Sequence, residues 1–133
     1  MVACAAATPR AAEVAANDID PLALAAGKLN AALNTVAVVP LLVDLVDSPQ
    51  HQALDGVEVV LAGDIAYERA MAERCFEFLA GLARRGVEVY VGDLGRPYLE
   101  RDRLEPLASY DVPTPLTVED AGMKRTTVFR LSP

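Results

Sequence analysis

Four short apolar runs in this chain each end at an aspartate, and this pattern is what most constrains the fold. The runs are residues 13–17, 36–43, 57–62 and 87–91, and the aspartates are Asp18, Asp44, Asp64 and Asp93. Apolar runs of this length are typical of strands, because a strand that is buried on both faces needs no polar alternation. One helix-like segment separates the first run from the second, and another separates the third from the fourth. This alternation favours an α/β fold with a mostly parallel sheet. Ligands of such sheets bind at the carboxyl ends of the strands, where the four aspartates lie.

The helices and the last strands follow from shorter signals. Asp20 and Pro21 predict a helix start, with Asp20 as the N-cap, and the apolar spacing after them predicts a helix to residue 33. The clearest helix covers residues 68–85 and ends before Gly86. Residues 101–109 are expected to form a short helix, and residues 110–118 and 126–131 a closing antiparallel strand pair. Pro40, inside the second run, favours the edge of a sheet for that strand.

Composition excludes several classes of function. The chain has 133 residues, a size that predicts a single domain over residues 1–133. Its 12 basic and 19 acidic residues give a net charge of −7, without a basic run. We therefore expect neither nucleic acid nor an anionic membrane surface as a partner. No apolar run reaches the roughly 18 residues that a membrane-spanning helix needs, and we expect a cytoplasmic protein.

Cysteine and histidine are too rare for several kinds of site. The chain has two cysteines, Cys4 and Cys75, and one histidine, His51. This count excludes a disulfide framework, a zinc cluster and a multi-histidine metal site, so no metal is expected. A serine or cysteine triad is improbable as well, because His51 stands in a polar stretch with no evident partner.

The aspartates at the strand ends are the candidate functional residues, and each has a purely structural alternative. Asp18 directly follows a strand, where a carboxylate can bind ribose hydroxyls, or it forms a turn. Asp44 can accept a hydrogen bond from an adenine amino group, or it opens a loop. Asp64, as a buried carboxylate, can orient an amine nucleophile, or it lies in a helix N-cap region.

Three further residues are candidates, which are Tyr67, the fourth aspartate Asp93 and its neighbour Arg96. Tyr67 can line the wall of a site at Asp64. Asp93 and Arg96 can serve a site, or pair with each other and fix a tight turn.

Several segments resemble the class I S-adenosylmethionine-dependent methyltransferases, and the resemblance covers essentially the whole chain. The segments are AANDIDPLALAAGKLNAALN, VVLAGDIAYE, VYVGDLGRPYLERDRLEPLASYDVP and VEDAGMKRTTVFRL. More narrowly, they are similar to the lysine methyltransferase group that includes the enzymes for the electron transfer flavoprotein β subunit and their bacterial relatives. This group is often labelled nicotinamide N-methylase-like or ribosomal-protein-L11-methyltransferase-like. The order of GDIAYE and GDLGRPYL is the most specific part of this resemblance.

The resemblance implies a cofactor, a reaction and residue roles. It implies S-adenosylmethionine as the cofactor, with Asp18 as the ribose-binding acid, Ile19 beside the adenine and Asp44 near the adenine amino group. Asp64 and Tyr67 match the Asp-x-x-Tyr motif that borders the methyl-transfer site, and are the expected catalytic residues. The implied reaction is N-methylation of a protein lysine, or of a small amine in the nicotinamide N-methylase-like alternative.

One departure from the family pattern is large. The family's seven-stranded sheet begins with a central strand and a glycine-rich cofactor loop, whereas no glycine precedes Gly27 here. Residues 2–8 instead match the helix after that loop. We therefore expect a domain that lacks the first strand, through a late start codon or a true truncation, and that has low activity. A non-catalytic Rossmann-like remnant that acts as an interaction module is the alternative from another functional class.

Overall fold

The computed structural model describes residue 11, residues 13–113 and residues 122–132. It divides into two compact units, Met1–Leu54 and Asp55–Pro133. The single domain expected over residues 1–133 therefore stays a prediction. Residues 2–8, which match a family helix, lie outside the described residues.

The first unit contains one β-α-β motif. Strands β1 (Ala15–Asp18) and β2 (Val39–Leu42) pair in parallel, and helix α1 (Pro21–Leu33) connects them. The helix begins as the sequence predicts, because the side chain of Asp20 accepts a hydrogen bond from the backbone N–H of Leu22 at 2.8 Å. The described strands of this unit form a two-stranded sheet.

Pro40 lies within β2, as expected for a strand at a sheet edge. Proline has no N–H to donate to a neighbouring strand, so it is tolerated where one side of the strand has no partner. In the described residues β2 pairs with β1 alone, and Pro40 stands opposite Ala16 in that pairing.

The second unit is a four-stranded mixed sheet with the strand order β3-β4-β6-β5. Its elements are β3 (Val59–Gly63), α2 (Arg69–Arg84), β4 (Glu88–Asp93), β5 (Leu104–Pro113) and β6 (Met123–Leu131). Strands β3 and β4 are adjacent and parallel, whereas β6 runs antiparallel to both β4 and β5. The predicted parallel pair and the closing antiparallel pair are therefore both confirmed.

The core of this unit lies between α2 and the sheet. Helix α2 buries one stripe, which consists of Ala72, Phe76, Leu79, Ala80 and Leu82. Phe76 has no exposed surface, nor has Val91 of β4, and full burial of a side chain of this kind contributes about 2–3 kcal/mol. The helix ends where predicted, since Gly86 has a φ of +90°, a conformation that glycine adopts without a steric penalty.

The expected helix over residues 101–109 is wrong. Only Arg101–Arg103 form a turn of 3₁₀-helix, and β5 begins at Leu104. The apolar spacing of Leu104 and Leu107 suits a helix, but Pro106 has no N–H for a helical hydrogen bond. Pairing with β6 decides the outcome, with a register shift between Pro106 and Ala108. Of the predicted strand 110–118, residues 110–113 belong to β5 and residues 114–118 lie outside the described part of the chain.

Candidate functional site

At the end of β1, Asp18 turns the chain toward helix α1. Its Oδ1 accepts a hydrogen bond from the backbone N–H of Asp20 at 2.9 Å, which is the geometry of an Asx-turn. Asp20 then caps the helix, so the capping role predicted for it is confirmed. One oxygen of Asp18 thus has a structural task, and its ribose-binding role stays a prediction. Ile19, between the two aspartates, is 63% exposed and presents an apolar side chain to solvent.

Asn17, which the sequence analysis did not single out, ties the ends of β1 and β2 together. Its Nδ2 donates to the backbone carbonyl oxygens of Leu41 at 2.9 Å and Val43 at 2.8 Å. Asp18 and Asp44 directly follow Asn17 and Val43 in the chain, so this amide holds both candidate carboxylates at one end of the two strands. The available sequence signal was a polar amide that interrupts an apolar strand.

Asp44 opens the loop after β2. It is half-buried, and its Oδ1 accepts a hydrogen bond from the backbone N–H of Asp47 at 3.1 Å. This contact fits the loop-opening alternative and leaves the predicted contact to adenine untested.

In the second unit, Asp64 follows β3 in a left-handed backbone conformation. Its φ is +56°, which is uncommon for a residue other than glycine, although aspartate tolerates it. The expectation of a buried carboxylate is wrong, since the Asp64 side chain is 62% exposed. The chain leaves the sheet at Gly63, which carries Asp64 out of the buried layer. The N-cap alternative fails too, because the N-cap of α2 is Glu68.

Arg96 binds Asp64 across the two neighbouring strand ends. Its Nε lies 3.0 Å and its Nη2 2.9 Å from the same oxygen, Oδ1 of Asp64. The two strands bring these residues together, because Gly63 of β3 stands opposite Gly92 of β4. The backbone N–H of Asp64 also donates to the carbonyl of Gly92, at 3.4 Å.

Asp93 fixes the turn that presents Arg96. It is only 3% exposed, and its Oδ1 accepts hydrogen bonds from the backbone N–H groups of Gly95 at 2.6 Å and Arg96 at 2.7 Å. The predicted tight turn is therefore confirmed, but the Arg96 guanidinium pairs with Asp64 instead of Asp93. Oδ2 of Asp93 is buried and has no hydrogen-bond partner in the part of the chain that the structure describes.

Two tyrosines lie in the loops that follow β3 and β4. Tyr67, the other expected catalytic residue, is 50% exposed and stands at the entry to α2. The guanidinium of Arg69, at the start of α2, lies 5.4 Å from the centre of the Tyr98 ring, which is within the range of a cation–π interaction. This contact links the start of α2 to the loop after β4.

The described ranges contain no group of three or more metal-ligating side chains that could hold a metal ion. His51 has a local role, because its Nδ1 accepts a hydrogen bond from the backbone N–H of Ala53 at 3.1 Å. Among the same residues, no helix is both long and apolar enough to cross a membrane.

The sequence is similar to lysine methyltransferases of vertebrates, although no family model matches it. It is 34% identical over 122 residues to the electron transfer flavoprotein β subunit lysine methyltransferase of Danio rerio, covering 88% of this chain and 46% of the relative. The Mus musculus enzyme of the same name is 31% identical over 128 residues, covering 92% of this chain and 49% of the relative. The chain thus spans about half the length of these curated relatives.

Solved structures of methyltransferases share the fold. A protein from Streptococcus pneumoniae, described as a "putative tRNA (m1A22) methyltransferase", superimposes with a TM-score of 0.53 at 15% identity, over 90% of this chain and 53% of that one. A "putative methylase" from Haemophilus influenzae gives a TM-score of 0.50 at 12% identity, over 92% of this chain and 68% of that one. At this identity the likeness concerns the fold alone. The resemblance to methyltransferases that the sequence predicts is confirmed: this chain is similar in sequence to the electron transfer flavoprotein β subunit lysine methyltransferases and has the Rossmann-like α/β fold of methyltransferases.

Proposed function

We propose that this chain is a S-adenosylmethionine-dependent N-methyltransferase that acts on a lysine side chain of a protein. The observation that carries the proposal is the 34% identity to the Danio rerio lysine methyltransferase over 88% of the chain. The strand-end geometry adds support, because it puts acidic side chains where α/β folds bind their ligands. The cytoplasmic location expected from the sequence stays a prediction.

We assign the adenosine part of the cofactor to the first unit. Asp18 and Asp44 follow neighbouring parallel strands, and Asn17 holds the ends of those strands together. In the proposed site, Asp18 accepts hydrogen bonds from ribose hydroxyls, Asp44 accepts one from the adenine amino group, and Ile19 offers an apolar contact to the ring. When bound, the cofactor supplies an electrophilic methyl group on a sulfonium.

The second unit supplies the groups proposed to meet the substrate amine. Asp64 is exposed at the end of β3 and Tyr67 is half-exposed three residues later. We assign Asp64 to orient the amine by accepting a hydrogen bond from its N–H, and Tyr67 to border the path of the lysine side chain. Methyl transfer is a displacement that depends mainly on the position of the reacting atoms.

A polypeptide that consists of residues 1–133 alone is proposed to be a slow enzyme. Backbone N–H groups of a glycine-rich loop approach the cofactor closely in the methyltransferases that this chain resembles, and no glycine precedes Gly27 in these residues. Loss of such contacts misplaces the reacting carbon, and an error of about 1 Å can cost a hundredfold in rate.

Calorimetric titration with S-adenosylhomocysteine tests the proposal. We expect the complete gene product to bind it. The control variant Asp55→Ala, which removes an exposed aspartate from the loop before β3, should bind equally well. The Danio rerio enzyme, titrated in parallel, shows that the conditions permit binding. No heat of binding for this protein beside normal binding by that enzyme would overturn the proposal and favour the non-catalytic interaction module.

A further inference from the structure

Arg96 binds Asp64 in an unusual way, because two guanidinium nitrogens share one carboxylate oxygen. Nε and Nη2 lie 3.0 and 2.9 Å from Oδ1, whereas Oδ2 has no hydrogen-bond partner among the described residues. The Asp64 side chain is 62% exposed, and ion pairs that exposed contribute little to folding stability. The pair therefore neutralises Asp64 while one of its acceptor oxygens remains open to a ligand.

The backbone holds both partners of this pair in place. Asp93 is buried, and its Oδ1 accepts hydrogen bonds from the backbone N–H groups of Gly95 and Arg96. The N–H of Asp64 donates to the carbonyl of Gly92. These hydrogen bonds fix the backbone of Arg96 and of Asp64 at the ends of β4 and β3. The position of the ion pair therefore depends on the backbone as well as on the two side chains.

The charge of Asp64 matters for the proposed reaction, on which this inference rests. A lysine side chain is an ammonium ion at neutral pH, because its ordinary pKa is about 10.4. Only the neutral amine has a lone pair to attack a methyl group. An unpaired carboxylate raises the pKa of a nearby ammonium and holds it protonated, whereas a nearby guanidinium lowers that pKa.

We propose that Arg96 is a positioning residue for methyl transfer, which neutralises Asp64 so that Oδ2 accepts an N–H of the substrate amine without trapping the ammonium form. The ammonium first loses its proton to water. The nitrogen lone pair then forms the N–C bond to the methyl group, and the S–C bond breaks with its electron pair going to sulfur. The methylated nitrogen then carries the positive charge that the sulfonium has lost, and it releases one of its own N–H protons to solvent.

The segments that follow β3 and β4 carry other charged and titratable groups. From Asp93 to Arg103 and from Tyr67 to Arg69, the chain carries four acids, three arginines and two tyrosines besides the pair, which are Glu68, Asp93, Glu100, Asp102, Arg69, Arg101, Arg103, Tyr67 and Tyr98. Arg69 lies over the Tyr98 ring, and on β6 the uncharged Thr127 stands opposite Asp93. Arg96 is the arginine whose guanidinium contacts the Asp64 carboxylate, so its substitution removes the positive charge directly beside Asp64.

The test compares pH profiles of kcat for the complete gene product and its variants. The assay measures transfer of labelled methyl groups from S-adenosylmethionine to recombinant electron transfer flavoprotein β subunit. For Arg96→Gln we expect the rise of kcat with pH to move up by about one pH unit, with roughly tenfold lower kcat on the acidic side and unchanged S-adenosylhomocysteine affinity. Arg96→Lys retains the cation and should largely restore the profile.

The matched control is Arg103→Gln. Arg103 also forms ion pairs and is about as exposed as Arg96. Its partners are Glu77 at 2.9 Å and Glu100 at 3.2 Å, and neither of them is a candidate site residue. Its variant should keep the wild-type profile. A wild-type profile for Arg96→Gln, or an equal shift for Arg103→Gln, would overturn this inference while the proposed function stands. Absence of methyl transfer by the wild-type protein would overturn both.

Discussion

Replacement of Asp93 by alanine should destabilise the second unit far more than replacement of an exposed aspartate. Oδ1 of Asp93 accepts two short hydrogen bonds, at 2.6 and 2.7 Å, from backbone N–H groups. Hydrogen bonds to a charged group contribute about 1.5–3 kcal/mol each, so the two together contribute about 3–6 kcal/mol. Against this, Oδ2 is buried without a partner, and its removal returns about 1–3 kcal/mol.

The net expectation is a loss of about 2–3 kcal/mol in the free energy of unfolding for Asp93→Ala. Asp93→Asn keeps an acceptor for both N–H groups and removes the buried charge, so we expect a loss of only about 1 kcal/mol. The control is Asp102→Ala, an exposed aspartate in the turn before β5, which should change the stability by less than about 0.5 kcal/mol.

Urea unfolding followed by tyrosine fluorescence measures this loss in the right part of the molecule. The chain has no tryptophan, and its four tyrosines all lie after residue 54, so the signal reports on the second unit. If Asp93→Ala unfolds at the same urea concentration as Asp102→Ala, the turn after β4 does not depend on Asp93, and Asp93 does not hold Arg96 in place.

Three other predictions concern the first unit and β4. Asp18→Ala should weaken S-adenosylhomocysteine binding ten- to a hundredfold, or about 1.5–3 kcal/mol, and an unchanged calorimetric affinity would count against the ribose contact. Asn17→Ala removes two hydrogen bonds and should cost about 1–2 kcal/mol in urea unfolding followed by far-ultraviolet circular dichroism, because the first unit has no tyrosine. This is twice the effect of Asn34→Ala, which removes one hydrogen bond; equal effects would argue against the strand-end link. The Tyr90 hydroxyl donates to Glu88, which raises the pKa of Tyr90, so Glu88→Gln should lower that pKa in a spectrophotometric titration. The stabilising effect of this bond is present at neutral pH and is lost as the pH rises through the raised pKa, and an unmoved titration curve would refute it.

The sequence predicts those features of the fold that depend on local burial patterns. The apolar runs before Asp64 and Asp93 become adjacent parallel strands, because each is short, apolar and followed by a polar turn. Helix α1 begins at its predicted cap for a similar reason, since Asp20 and Pro21 act within one turn. The predicted helix over residues 101–109 is wrong because pairing with β6, which is distant in the sequence, determines the conformation of these residues. Nothing in the local sequence indicates that pairing.

The candidate site was predictable in its positions but not in its contacts. The sequence identifies the loops that follow β3 and β4, yet Arg96 reaches Asp64 across 32 residues of chain. Once the two strands are known to be parallel neighbours, that contact becomes accessible to reasoning, since Gly63 and Gly92 lie in register. The exposure of Asp64 could not be predicted from the sequence, because it depends on a left-handed backbone conformation that is rare outside glycine.

The most direct test of the proposed function is methyl transfer itself. The complete gene product and the Danio rerio enzyme are each incubated with labelled S-adenosylmethionine and recombinant electron transfer flavoprotein β subunit, and methylated lysines are identified by mass spectrometry. We expect methyl-lysine from the complete gene product and loss of it in Asp64→Ala. No methyl-lysine from the complete gene product, beside normal product from the Danio rerio enzyme, would contradict the assignment as a protein lysine methyltransferase.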